Sequence, residues 1–114
     1  MASDSSSSAA LLELSDANYN TLVYRSSGRV LVDVWAPWCG PCRLMAPLMD
    51  WAANHYADRL TVGKLEADSN PITFNALCIQ GLPTLLLYND GQEVARHEGV
   101  MALPLLQLFL DDHL

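Results

Sequence analysis

The cysteines Cys39 and Cys42 stand three residues apart in Trp38-Cys39-Gly40-Pro41-Cys42-Arg43, directly after the apolar run Val30-Leu31-Val32-Asp33-Val34-Trp35. That order reads as a strand, a short turn and the start of a helix. On a helix, residues i and i+3 share a face with Cβ atoms roughly 5–6 Å apart. A disulfide needs them about 3.5–4.5 Å apart, so a small local adjustment lets the two sulfurs bond. With Cys39 as the cap of the helix, its sulfur faces the unpaired N–H groups of the first turn. Those groups and the helix dipole favour an anion. The thiolate is the reactive form of cysteine, which marks Cys39 as a nucleophile. Cys42, inside the helix and less exposed, is suited to attack a mixed disulfide and release the product. Gly40 permits the tight turn, and Pro41, having no N–H, fits the first helical turn.

Two other uses of such a pair exist. A zinc site needs two further ligands at suitable spacing, and the candidates Cys78, His55, His97 and His113 form no paired motif; no metal site is expected. A purely structural disulfide across so short a loop stabilises little, because its entropic effect grows with loop length. Asp33 is the second chemical anomaly, a carboxylate in the middle of an apolar strand. Burial there disfavours its charged form. It either forms an ion pair with Lys64 on the next strand or serves Cys42 as a base, through a water.

The elements that must hold these groups follow from the rest of the chain. The 114 residues suffice for one domain with one core. No apolar run approaches the length of a membrane span, and a net charge of −7 argues against nucleic acid, whose phosphates call for Lys and Arg. Residues 1–9 are Ser-rich and read as a disordered tail, with residues 10–114 as the folded domain. The first ten residues carry neither a basic residue nor an apolar stretch of signal length. Three cysteines are too few for a disulfide scaffold. Together these features suggest the reducing cytoplasm, where a close cysteine pair is more often catalytic than structural.

The pattern predicts a short strand at Ala10–Leu14, then a helix capped by Ser15 or Asp16 and running to about Arg25, with Tyr19, Leu22 and Val23 on its apolar face. Arg29 to Ala36 reads as a central strand covered on both faces. A helix from Pro41 to about Tyr56 turns Met45, Met49, Ala52, Ala53 and Tyr56 to the core, with Pro47 inside it removing one helical hydrogen bond. Arg59–Glu66 is a strand, and Ser69-Asn70-Pro71 opens a helix to about Ala76. Cys78 reads as a small buried hydrophobe, with a regulatory thiol as the other possibility. Leu82–Tyr88 is a strand opened by Pro83, Asn89-Asp90-Gly91 a hairpin turn, and Gln92–Glu98 an edge strand with Val94 pointing inward. The last helix runs from about Leu103 to His113, with Leu106, Phe109, Leu110 and Leu114 as its core stripe. The order βαβαβαββα implies an α/β fold with one mixed sheet between helices.

Trp38-Cys39-Gly40-Pro41-Cys42, preceded by Val32-Asp33-Val34-Trp35-Ala36, resembles the active site of the thioredoxin family. Pro47, Lys64, Asp68, the run Gly81-Leu82-Pro83-Thr84, Gly91 and Gly99 match in order, so the resemblance covers about residues 10–114. It implies the thioredoxin fold, a mixed sheet of about five strands flanked by four helices. It implies a protein-disulfide reductase working through a reversible Cys39–Cys42 disulfide, with Asp33 as the base serving Cys42 and Lys64 as a further catalytic residue, Trp35 and Pro47 as structural positions, and no bound cofactor. It further implies that the bond before Pro83 is cis, so that Leu82 offers backbone groups to an extended substrate strand. Trp38, Gly40, Pro41, Leu82, Pro83 and Gly99 would then rim the docking groove. The implied partners are disulfide-containing proteins and a thioredoxin reductase, fed by NADPH through a flavin or by ferredoxin through an iron–sulfur centre. The implied roles are electron transport and cell redox homeostasis.

The same fold hosts oxidases and isomerases; Gly-Pro between the cysteines is the combination typical of the family's reductants. A binding module that uses the groove, with redox chemistry incidental, is a reading of another class. The chain departs from the family at Leu103, Leu105 and Leu108, usually polar there, and at Trp51, usually charged. Met101, Leu105 and Leu108 form a second helical stripe. Either these residues pack on one another between helices, or they form an exposed patch that docks a partner or a second copy of an otherwise monomeric chain.

Overall fold

The strand Arg29–Trp35 is apolar at nearly every position because the sheet is covered on both sides, and the remaining strands arrange themselves around it. The computed structural model describes residues 10–114; the tail expected over residues 1–9 lies outside the described residues. The elements are β1 (Leu12–Leu14), a short π-helical segment α1 (Asn20–Tyr24), β2 (Arg29–Trp35), α2 (Cys42–His55), β3 (Leu60–Glu66), α3 (Pro71–Leu77), β4 (Thr84–Asn89), β5 (Gln92–Glu98) and α4 (Leu103–Asp111). The five strands form one sheet in the order β1-β3-β2-β4-β5. β1, β3 and β2 run parallel, β4 lies antiparallel to β2, and β5 antiparallel to β4. This is the expected mixed five-stranded α/β fold with four helical segments.

Alternation along the strands splits the core in two. Leu31, Val62, Leu85 and Leu87 pack with Met45, Met49, Ala52 and Ala53 of α2 and with Leu106 and Leu110 of α4. Val30, Val32, Val34, Leu65, Leu86 and Tyr88 pack on the other face with Tyr19, Val23 and Leu77. Gly63 lets β1 close on β3: an added Cβ would lie 2.8 Å from Leu14 Cδ1. Asp33 lies on the α2 face, in register between Lys64 of β3 and Leu85 of β4.

Several expectations are corrected. The first helix is only the π-helical segment, closed by the Arg25 N–H donating to the Asn20 carbonyl at 2.9 Å. It widens where Tyr19 and Val23 both enter the core while Tyr24 folds over the rings of Tyr19 and Tyr88, with centroids 5.1 and 5.9 Å away. Ser15 is not the cap of this segment: it exchanges hydrogen bonds with Asn18 in the turn that precedes α1, and Tyr19 holds the cap position without a side-chain hydrogen bond. Asp16 is not the cap either. Its carboxylate accepts from the N–H groups of Ile72 (3.3 Å) and Thr73 (2.7 Å), so it caps α3 from across the fold.

Pro83 precedes β4 rather than opening it, since the strand begins at Thr84. Val94 points outward. Tyr88 pairs with Glu93 and Leu87 with Ala95, so Val94 is the extra residue of a β-bulge, and Ala95 and His97 take the inward positions. Cys78 is exposed, because it ends α3 in the left-handed conformation (φ 54°), which turns its thiol to solvent. Met101 is buried in the α2–α4 core and is no part of a second stripe, whereas Leu103, Leu105 and Leu108 are exposed. Trp51 is half-buried and stacks on His55 at 4.6 Å. No helix among the described residues is long and apolar enough to cross a membrane.

Candidate active site

The site forms where the C-terminal end of β2 turns into α2. Cys39 and Cys42 are joined by a disulfide with Cα atoms 5.4 Å apart. The intervening turn is tighter than an α-helix. The N–H groups of Cys42, Arg43 and Leu44 donate to the carbonyls of Cys39, Gly40 and Pro41 at 3.2, 3.1 and 3.0 Å, each three residues back. This corrects the expected placement. Pro41, with its fixed helical φ of −60°, holds the cap position, and Cys39 stands ahead of it. Cys42 is the first helical residue rather than an interior one, and both cysteines are equally buried. They pack against Ala36, Trp35 and Leu82.

Beneath the disulfide lies a cavity of about 140 Å3, lined by Asp33, Trp35, Ala36, Pro37, Cys39, Cys42, Arg43, Ala46 and Lys64. One water needs roughly 10–15 Å3 by this kind of measure, so the cavity has room for a water between carboxyl and sulfur. Asp33 is 2 % exposed, and its Oδ1 has no hydrogen-bond partner among the described residues. Loss of hydration pushes its carboxyl up to about 7, and the charge of Lys64 offsets only part of that rise. The direct Asp33–Lys64 ion pair is absent: among the described residues the one ion pair within 4 Å joins Arg96 and Glu93. The Lys64 ammonium instead lies over the Trp35 ring, 5.5 Å from its centroid.

Around the mouth, Trp38 presents an exposed ring (69 %) held by its indole N–H donating to the Asp68 carboxylate at 2.8 Å. The Leu82–Pro83 bond is cis. The Thr84 hydroxyl donates to the Gly81 carbonyl at 2.6 Å and the Gly99 N–H to the Pro83 carbonyl at 2.8 Å, which ties the end of β5 to this loop. The structure thus brings Cys39, Cys42, Asp33, Lys64 and Trp35 to one cavity and packs Leu82 on the cysteines. Gly40 and Pro41 form the turn between the sulfurs, and Pro83 and Gly99 stand linked behind Leu82. Pro47 lies apart, on a separate groove with Asp50, Trp51, Asn54 and His55. Pro37, Arg43 and Ala46 were missed from sequence. Arg43 and Ala46 follow Cys39 and Cys42 by four residues each, one helical turn, and that spacing is the signal that finds them.

A reversible cysteine pair at the end of a central strand, above a buried carboxyl, defines a thiol–disulfide oxidoreductase. The family model described as Thioredoxin matches residues 10–112. The chain is 46 % identical to the thioredoxin of Acidithiobacillus ferridurans, covering 92 % of this chain and 97 % of that one. It is 43 % identical to thioredoxin 1 of Synechococcus elongatus (89 % and 94 % covered) and 41 % identical to the thioredoxin of Mycobacterium bovis (94 % and 92 % covered). The chain belongs to the thioredoxin family, and it is a thiol–disulfide reductase acting through Cys39 and Cys42.

Proposed function

We propose that Cys39 is the attacking thiolate, Cys42 the resolving thiol and Asp33 the group that takes the resolving proton. The Cys39 thiolate attacks one sulfur of a target disulfide, forms a mixed disulfide and expels the other target sulfur as a thiolate. Cys42 passes its proton to Asp33 through a water, for which the cavity has room, and its thiolate attacks the Cys39 sulfur. The second target sulfur leaves, so the target gains two electrons and two protons in all and the Cys39–Cys42 disulfide is restored. Lys64 moderates the charge of Asp33. Trp38, Gly40, Pro41, Leu82, Pro83 and Gly99 form the docking rim, where the backbone of Leu82 beside the cis bond pairs with an extended target segment. The observation that carries this reading is the Asp33 oxygen, without a hydrogen-bond partner among the described residues, in the same cavity as both cysteines.

The family resemblance supports regeneration by a thioredoxin reductase, linked to NADPH or to ferredoxin, and a place in electron transport and cell redox homeostasis. An exposed free thiol at Cys78 and few cysteines in all support a cytoplasmic setting.

Cys42→Ser should trap a target as a stable mixed disulfide and Cys39→Ser should not; the reverse outcome would exchange the two roles. The double Cys39→Ser, Cys42→Ser variant should lose insulin-disulfide reduction. In the wild type the resolving step should quicken as pH rises through about 7, where Asp33 becomes an acceptor. Asp33→Asn should slow that step about tenfold or more near neutrality and move the inflection to the thiol range. An unchanged stopped-flow pH profile would remove Asp33 from the reaction.

A further inference from the structure

A second, larger hollow lies behind the cavity beneath the disulfide and shares a wall with it. It is an open groove of about 680 Å3 along β1, and Glu13, Glu66, Trp35 and Lys64 all line it. Trp35 and Lys64 also line the inner cavity, whereas Asp33 faces the inner cavity and Glu13 the outer groove. The sheet register gives this arrangement a simple form. Glu13 of β1 pairs with Lys64 of β3, and Lys64 pairs with Asp33 of β2. Residues paired directly across strands project to the same face. Lys64 therefore stands in the sheet between Glu13 and Asp33, its backbone one strand spacing, roughly 4.8 Å, from each of theirs. Its ammonium bonds neither carboxylate within 4 Å and leans over the Trp35 ring in the shared wall.

We propose that Glu13 is a positioning residue for the redox reaction: from the outer groove it competes with Asp33 for the Lys64 ammonium. The consequence follows from electrostatics. An opposite charge held close to a carboxylate favours its ionised form. An ammonium drawn partly outward does so less, which leaves Asp33 able to accept a proton near neutral pH. The other charged groups around Asp33 do not duplicate this arrangement. Glu66 is engaged by the Ser69 hydroxyl and by the Asp68 N–H. From α2, Arg43 and the disulfide-bonded Cys42 line the inner cavity. β4 places apolar Leu85 beside Asp33, and His97 of β5 lies beyond it.

This inference rests on the reading of Asp33 as the proton acceptor, and its test separates the two. The Asp33 carboxyl carbon is followed by NMR against pH in the reduced protein, with the resolving-step pH profile measured alongside. In Glu13→Gln the Asp33 midpoint should fall by about half a pH unit, a roughly threefold change in the protonated fraction, and the kinetic inflection should move with it. Glu13→Asp should restore most of the wild-type midpoint. In a Lys64→Gln background the Glu13→Gln shift should nearly vanish, because the direct effect of an exposed charge roughly 10 Å away is largely screened. An unmoved midpoint in Glu13→Gln, or a shift of equal size without Lys64, would overturn the inference. If Asp33→Asn leaves the resolving profile unchanged, the acceptor reading fails, while the NMR midpoints still decide whether Glu13 and Asp33 share Lys64.

Discussion

Asp33 is expensive for the fold whenever it is charged. The protein holds it 2 % exposed with one oxygen unpartnered among the described residues, and burial raises its carboxyl from the ordinary carboxylate range to about 7. The folded state therefore binds this proton more tightly than the unfolded chain. Below pH about 4 the group is protonated in both states and carries no penalty. As pH rises towards 7, the unfolded chain ionises first and stability is lost, levelling off once the folded carboxyl has ionised too. The span of the shift corresponds to about 2–4 kcal/mol. Asp33→Asn should accordingly unfold at higher denaturant concentration than the wild type at pH 8, with the advantage fading towards pH 4. Denaturant titrations across that range read the slope, which a mere change of packing would leave flat. A variant that gains stability as it loses rate is the signature of a residue kept for chemistry.

At the scale of elements, the β4–β5 hairpin shows how local rules and long-range contacts combine. Asp90 and Gly91 both take positive φ (52° and 84°), as a two-residue hairpin turn of this hand requires. An added Cβ on Gly91 would also overlap the carbonyl oxygen of Tyr24, which packs against the turn. Gly91→Ala should lose about 1–3 kcal/mol, read as a lowered thermal midpoint. Gly40→Ala, with open space where its Cβ would go, should hold its midpoint. The turn was legible in the sequence because few residues tolerate that backbone. The cysteine pair was legible because its chemistry follows from a spacing of three. β2, α2 and the core stripe of α4 were legible because their apolar periods are strong. What escaped depended on distant partners. The bulge that turns Val94 outward is set by pairing with β4. Asp16 caps a helix far along the chain. The left-handed end of α3 overrides the preference of Cys78 for burial. Asp33 was visible as an anomaly, but its relation to Lys64 was not, since the Trp35 ring that draws the ammonium aside is placed only by the folded sheet. Glu13 was invisible for the same reason: parallel pairing of β1 with β3 brings it to the site.

For the whole molecule, the open question of the sequence was whether the leucines of α4 join copies of the chain. Leu103, Leu105 and Leu108 are exposed, Leu108 to 62 %. Met101, which would have lengthened their stripe, is buried, and Trp51 is occupied by its stack on His55. What remains is an apolar patch of a few hundred Å2 at most, ordinary for a monomer. A stable interface takes about 800 Å2 from each partner. A net charge of −7 adds repulsion between copies. The chain should therefore sediment as a single monomeric species over a wide concentration range. Leu105→Lys should change neither its sedimentation nor its rate of insulin reduction, because the patch lies outside the residues that line the cavity or rim the disulfide. A heavier species at high concentration that Leu105→Lys dissolves would show that the leucine face is an interface after all. A loss of reductase activity in the same variant would show that targets, rather than copies, use it.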